Sequence, residues 1–176
     1  MLIKIQRAMT MFSRLAALLR RRRRRPALNR VVIAQACWQQ LNTAAQNAYP
    51  TEACGVLMGH VLNGTIYVAA VEITDNLMHK KDRAFAVSPV TALVLRQLTK
   101  GIRVKIVGFF HSHPNHRAIP SDNDLVYAWP GHVYLIARVE RGPAMRQWRA
   151  WQIEGNPRQA RELRVEICEG KSCPPV

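Results

Sequence analysis

The period of the apolar positions changes several times along the chain, and each change marks a new element. From Val31 to Ala48, the apolar residues Ile33, Cys37, Leu41, Ala44 and Ala48 fall at spacings of four, four, three and four. That is one stripe of a helix, and it predicts a helix over 31–48. Tyr49-Pro50 ends it, because a residue before proline is driven out of helical geometry. Cys54–Met58 is a short apolar run bounded by glycine, and Thr65–Val71 is rich in β-branched residues. Asn63-Gly64 between them is a favoured two-residue hairpin turn, so the two runs read as antiparallel strands. Residues 75–84 are polar and predict an exposed loop, with Phe85–Val87 as a further short strand. Ser88-Pro89 is a helix start, Ala92, Leu95 and Leu98 supply the apolar face, and Lys100-Gly101 is a stop. Val104–Phe110 is apolar except at Lys105, and His132–Val139, Met145–Ile153 and Leu163–Ile167 read as further strands, with Arg141-Gly142-Pro143 as a turn. This order predicts an α+β fold, a mostly antiparallel mixed sheet flanked by helices.

Charge changes the picture only at one end. The chain has 176 residues and a formal net charge of +15, yet residues 1–30 hold ten of the 26 basic side chains and none of the 11 acidic ones. The remainder is only mildly basic, as globular domains commonly are. Met11–Leu19 is apolar apart from Ser13 and Arg14 and is followed by Arg20–Arg25. This reverses the charge order of a secretory signal and is too short to span a bilayer. The expectation is a disordered, solvated arm over 1–30, or a start site set too early, since Met9 and Met11 are alternative initiators. A basic amphipathic segment touching anionic membrane or non-specific nucleic acid is the competing reading. The four cysteines, Cys37, Cys54, Cys168 and Cys173, form no C-x-x-C pair. Reduced thiols and a cytoplasmic protein are expected, with residues 168–176 as a tail in which a Cys168–Cys173 bridge is the lesser alternative.

The candidate chemistry sits directly after the apolar run 104–110. His111-Ser112-His113-Pro114 is followed by Pro120-Ser121-Asp122-Asn123-Asp124. A strand's period of two puts His111 and His113 on one face with Cα atoms about 6.6 Å apart, close enough for both imidazoles to meet one ion. Pro120-Ser121 is a helix start that places Asp124 in the first turn, where its carboxylate supplies a third ligand. Two histidines and a carboxylate leave a tetrahedral ion one open position, as in catalytic zinc sites. Non-haem iron oxygenases use the same donor set, but nothing else in the sequence suggests redox chemistry. Such a site needs a proton acceptor that is not itself a ligand. Each fragment has a blander reading: Ser-x-x-Asp also caps helices, and His-x-His at a strand end is often mere surface. The five identities at these offsets together would arise by chance on the order of once in ten thousand such chains.

His111-Ser-His113, seven residues beginning with Pro114, then Ser121, two residues and Asp124 resemble the JAMM signature of MPN-domain (JAB) metallopeptidases. Thr51-Glu52-Ala53-Cys54-Gly55-Val56-Leu57-Met58-Gly59, with Glu52 59 residues before His111, is similar to the family's glutamate segment. The resemblance covers residues 31–167, including Asp122-x-Asp124-Leu125 and Ala128-Trp129-Pro130-Gly131, and is nearest to the compact single-domain bacterial branch. It implies an MPN/JAB-like, cytidine-deaminase-like layering and one Zn2+ per chain on His111, His113 and Asp124. It further implies Glu52 as general acid/base and Ser121 as hydrogen-bond donor to the oxyanion or substrate carbonyl. The implied substrate is an amide bond at the C-terminus of a ubiquitin-like or sulfur-carrier protein. A non-catalytic MPN scaffold and a peptidoglycan-directed hydrolase are the alternatives. His116 and Cys54 lie near these segments but are expected to be a solvated loop histidine and a core residue.

Overall fold

The structure is a computed structural model and describes residues 27–76, 89–101, 103–129, 131–142, 147–155 and 158–169. Its elements run β1 (Arg30–Ala34), α1 (Gln35–Ala48), β2 (Cys54–Leu62), β3 (Thr65–Thr74), α2 (Pro89–Leu98), β4 (Lys105–Pro114), α3 (Asp122–Tyr127), β5 (Val133–Val139), β6 (Gln147–Glu154) and β7 (Gln159–Cys168). The expected strand at Phe85–Val87 lies outside the described residues.

The expected α+β fold, a mostly antiparallel mixed sheet flanked by helices, is corrected by the strand ladder. Its order is β1-β3-β2-β4-β5-β6-β7, and β1 also pairs with β7, so the sheet closes into a barrel. The closing strand comes from the first turns of the predicted helix. Val31-Val32-Ile33 is β-branched and buried, and it pairs in parallel with Ile66–Val68 on one side and Val165–Ile167 on the other. Two flanking ladders outweigh the helical spacing there, because β-branched side chains lose little rotamer freedom in a strand. The helix begins only at Gln35, and its buried stripe is Cys37, Leu41 and Ala45.

The hairpin forms as its turn residues dictate. Asn63 and Gly64 have φ of +49° and +77°, the left-handed pair that matches the twist of two antiparallel strands. Four ladders are antiparallel and three are parallel, the latter joining β1 to β3, β1 to β7 and β4 to β5. Strand β5 shows how the sheet divides the core. Val133 and Leu135 pack with α1 residues Cys37 and Leu41, whereas Tyr134 and Ile136 pack with Phe109, Trp151 and Leu95 of α2. The histidine-bearing end of β4 lies beside the start of β2, with His111 opposite Cys54. Arg30 is opposite Thr65, so β1 starts at the end of the barrel remote from the histidines.

Among the described residues no helix is long and apolar enough to cross a membrane. Cys37 and Cys54 are free and buried. Cys168 is disulfide-bonded, which corrects the default expectation of reduced thiols in favour of the bridge given less weight.

Glycine at 108 is demanded by the parallel β4–β5 contact. A Cβ there would lie 2.2 Å from the Val133 carbonyl oxygen and 2.4 Å from its Cγ1, and backbone cannot step aside as a flexible side chain can. Gly108→Ala is expected to destabilise the fold by about 1–3 kcal/mol, seen as an earlier urea unfolding midpoint. An unchanged midpoint would mean that β4 and β5 are not packed this closely.

Candidate metal centre

Strand β4 carries the site because it continues past the apolar run. His111 pairs with Cys54 of β2 and Ile136 of β5, and His113 with Arg138 of β5. Alternation along the strand sends His111 and His113 to the face of Phe109, while Phe110 packs in the opposite cluster. His111 is completely enclosed and His113 is buried.

The chain then reverses at Asn115, whose φ is +60°, a conformation that asparagine tolerates better than most residues. Its amide donates to the Val139 carbonyl at 2.8 Å. The following loop returns a backbone acceptor to the site, since His113 Nδ1 lies 2.8 Å from the Arg117 carbonyl. A carbonyl only accepts, so Nδ1 carries the proton and the neutral ring presents its lone pair at Nε2.

Ser121 starts α3 with a capping box. Its hydroxyl accepts from the Asp124 amide at 3.2 Å, and its hydroxyl and amide both donate to Asp124 Oδ2 at 2.7 Å. The helix start thereby fixes the direction of the carboxylate as well as its place.

The three side chains converge. His111 Nε2 and His113 Nε2 are 2.9 Å apart, while Asp124 Oδ1 is 3.4 Å from the first and Oδ2 is 3.7 Å from the second. Such an approach of two imidazole nitrogens requires a proton on one of them or a cation between them. Tetrahedral zinc with ligands at about 2.0–2.1 Å sets its donor atoms about 3.3 Å apart, and the observed separations bracket that value. Residues His111, His113 and Asp124 therefore fit a metal ion.

Without a cation, the three groups share charge unequally, and a metal ion would take the place of a proton held at His113. Burial pushes His111 below the usual histidine range, against the pull of Asp124. Burial acts the same way on His113, but hydrogen bonding to Asp124 and the Arg117 carbonyl, with the charges of Asp124 and Glu52, carries it above that range. Burial would raise Asp124, yet the charge of His111 and hydrogen bonds from His111, His113 and Ser121 hold it well below the usual carboxylate range. An ionised carboxylate thus faces the two imidazoles, the form in which it coordinates a cation.

Glu52 lies on the segment entering β2 and is buried. It is not one of the three converging donors, but its charge reaches His113. Its position is set by Ser112, the residue between the two histidines. The Ser112 Oγ accepts from the Ala53 amide at 2.8 Å, and the Ser112 amide donates to the Ala53 carbonyl at 2.9 Å. Asn76 Nδ2 adds a hydrogen bond to the Glu52 carbonyl at 3.4 Å. The sequence reading assigned no role to Ser112, Asn76 or the Arg117 carbonyl. Only Ser112 left a signal, being a hydroxyl that alternation must send to the apolar face, where it needs a partner. Cys54 is buried and its Sγ lies 3.6 Å from Thr74 Oγ1, as expected of a core residue. His116 is exposed in the loop.

Comparison with known proteins places this geometry in a family. A family model described as prokaryotic homologs of the JAB domain matches residues 34–154. The desampylase of Haloferax volcanii is 32% identical over 100 residues, covering 56% of this chain and 70% of that protein. A solution structure of a Desulfitobacterium hafniense protein superposes with a TM-score of 0.70 at 25% identity, covering 80% of this chain and 94% of that one. A Salinibacter ruber protein gives 0.59 at 25% identity, covering 79% and 92%. The family match contains Glu52, His111, His113, Ser121 and Asp124, and leaves out the arginine run.

Purified protein reconstituted with zinc is expected to hold about one ion per chain, and His113→Ala to hold far less while still unfolding cooperatively. Elemental analysis beside thermal melting checks both. A folded parent without metal, or a variant that keeps it, would contradict the assignment.

Proposed function

This chain belongs to the family of prokaryotic homologs of the JAB domain, and from that premise we propose that it is a zinc-dependent isopeptidase acting at the C-terminal tail of a ubiquitin-like or sulfur-carrier protein. The observation that carries the proposal is the convergence of His111, His113 and Asp124 with a fourth buried acid, Glu52, held alongside by Ser112. The similarity to a desampylase supports the substrate class. The acting unit is residues 31–167, with 1–30 and 168–176 outside it, and its place of action is the cytoplasm.

Zinc, which His111, His113 and Asp124 would hold, would supply a Lewis acid at the site and lower the pKa of water to about 7. The residues of the chain do the rest. His113 keeps Nε2 turned inward because Nδ1 is engaged by the Arg117 carbonyl. The Glu52 carboxylate takes a proton from the attacking water and returns it to the leaving amine. That exchange suits a carboxylate whose own lone pairs are not spent on the metal. The oxygen of water bonds to the carbonyl carbon, the C–N bond breaks, and the amine leaves with the proton that Glu52 carried.

Ser121 has a single O–H, and before substrate arrives it is donated to Asp124 Oδ2. When negative charge develops on the carbonyl oxygen, the hydroxyl turns to it, and Asp124 Oδ2 keeps the Ser121 backbone amide as donor. One residue therefore serves the ligand first and the oxyanion afterwards.

Glu52→Gln preserves size and hydrogen bonding but removes the basic carboxylate. Zinc content is expected to match the parent, while cleavage of a carrier protein fused through a Gly-Gly terminus falls at least ~10²-fold. Cleavage at the parental rate would show that another group moves the proton. Loss of zinc from a folded variant would make Glu52 a ligand.

A further inference from the structure

Two successive carbonyls of the loop between β4 and α3 are caught from different sides of the molecule. The Arg117 carbonyl is held by His113 Nδ1 at 2.8 Å. The next one, that of Ala118, accepts from the indole Nε1 of Trp151 at 3.0 Å in a buried contact. Trp151 belongs to β6, where it pairs with Tyr134 of β5 and Glu162 of β7. Its ring is also braced from outside, since the Arg149 guanidinium lies 4.6 Å from the ring centroid and is tied to Glu162. Ala118 itself is fully enclosed.

We infer that Trp151 is a positioning residue for the metal centre, acting through the Arg117-Ala118 peptide on the imidazole of His113. A loop carbonyl can orient a ligand histidine only if the loop is itself fixed. Here the adjoining carbonyl is pinned to a strand two places along the barrel from β4. Removing the indole N–H leaves the buried Ala118 oxygen without its donor. The peptide then shifts to recover a partner, and the acceptor that sets the direction of His113 shifts with it. The inference rests on His113 being a metal ligand.

The test compares two tryptophans that make the same kind of bond. Trp151→Phe removes the donor to Ala118, and Trp148→Phe removes the donor to Asn42 Oδ1 of α1, on the opposite face of the sheet from the histidines. Zinc affinity, measured by competition with a chromophoric chelator, is expected to fall roughly 10- to 100-fold in Trp151→Phe and to stay at the parental value in Trp148→Phe. Parental affinity in Trp151→Phe, or an equal loss in both variants, would overturn the inference. Should Trp151→Phe not fold, Trp151→benzothienylalanine keeps the bicyclic ring and deletes only the N–H, with the same two outcomes. A parent that binds no zinc would sink the proposed function and the inference with it. In a parent that binds zinc, the 15N spectrum of the His113 ring in metal-free protein is a second readout: tautomer populations changed in Trp151→Phe and kept in Trp148→Phe support the inference, and populations unchanged in Trp151→Phe overturn it.

Discussion

Strand β4 is hydrogen-bonded on both sides through His111, antiparallel to β2 and parallel to β5. A residue so placed has no backbone freedom, and the direction of its side chain becomes a property of the sheet. His111 and His113 converge because alternation repeats on a strand that cannot twist independently, and Gly108 lets β5 approach closely enough to hold it. The third converging side chain is placed by a different device. Asp124 is the N3 residue of a capping box, so the hydrogen bonds that start α3 also aim its carboxylate. Sheet and helix start are both over-determined, which is what a preorganised site requires.

The same economy governs Glu52. It stands outside regular structure, yet the hydroxyl and amide of Ser112 tie the adjoining Ala53 to β4. Alternation sends the histidines to one side of the strand and Ser112 to the other. The serine stitches the acid's segment in place without competing for the space the ligands need. Asp124 is aimed by the Ser121 hydroxyl and amide and Glu52 is buried beside the converging donors, so on the proposed reading metal holding and proton transfer fall to two different acids.

The hairpin was legible because Asn63-Gly64 permits so few other conformations, and the start of α3 because Ser121 and Asp124 satisfy each other locally. The convergence of His111, His113 and Asp124 was legible for the same reason: strand alternation and helix capping are short-range rules. Barrel closure was not. It depends on β1 meeting β7 from the far end of the chain, and Ile33, Cys37 and Leu41 happen to share a helical spacing that masks the strand formed by Val31-Val32-Ile33. The carbonyl of Arg117 could not be read either, since backbone acceptors carry no residue identity, and its anchoring to Trp151 through Ala118 is equally long-range. The family match agrees with the short-range reading of residues, while the closed ladder had to come from the structure.

The central claim is that this centre hydrolyses the amide joining a ubiquitin-like tail to an amine. Its most direct test is mass spectrometry of a ubiquitin-like protein linked through its C-terminal glycine to a lysine side chain, incubated with protein that is zinc-loaded, chelated, or chelated and reloaded. The account predicts release of the intact carrier ending in free glycine, abolished by chelation and restored by zinc. An intact conjugate across several such carriers, in the presence of folded protein holding one zinc per chain, would contradict it.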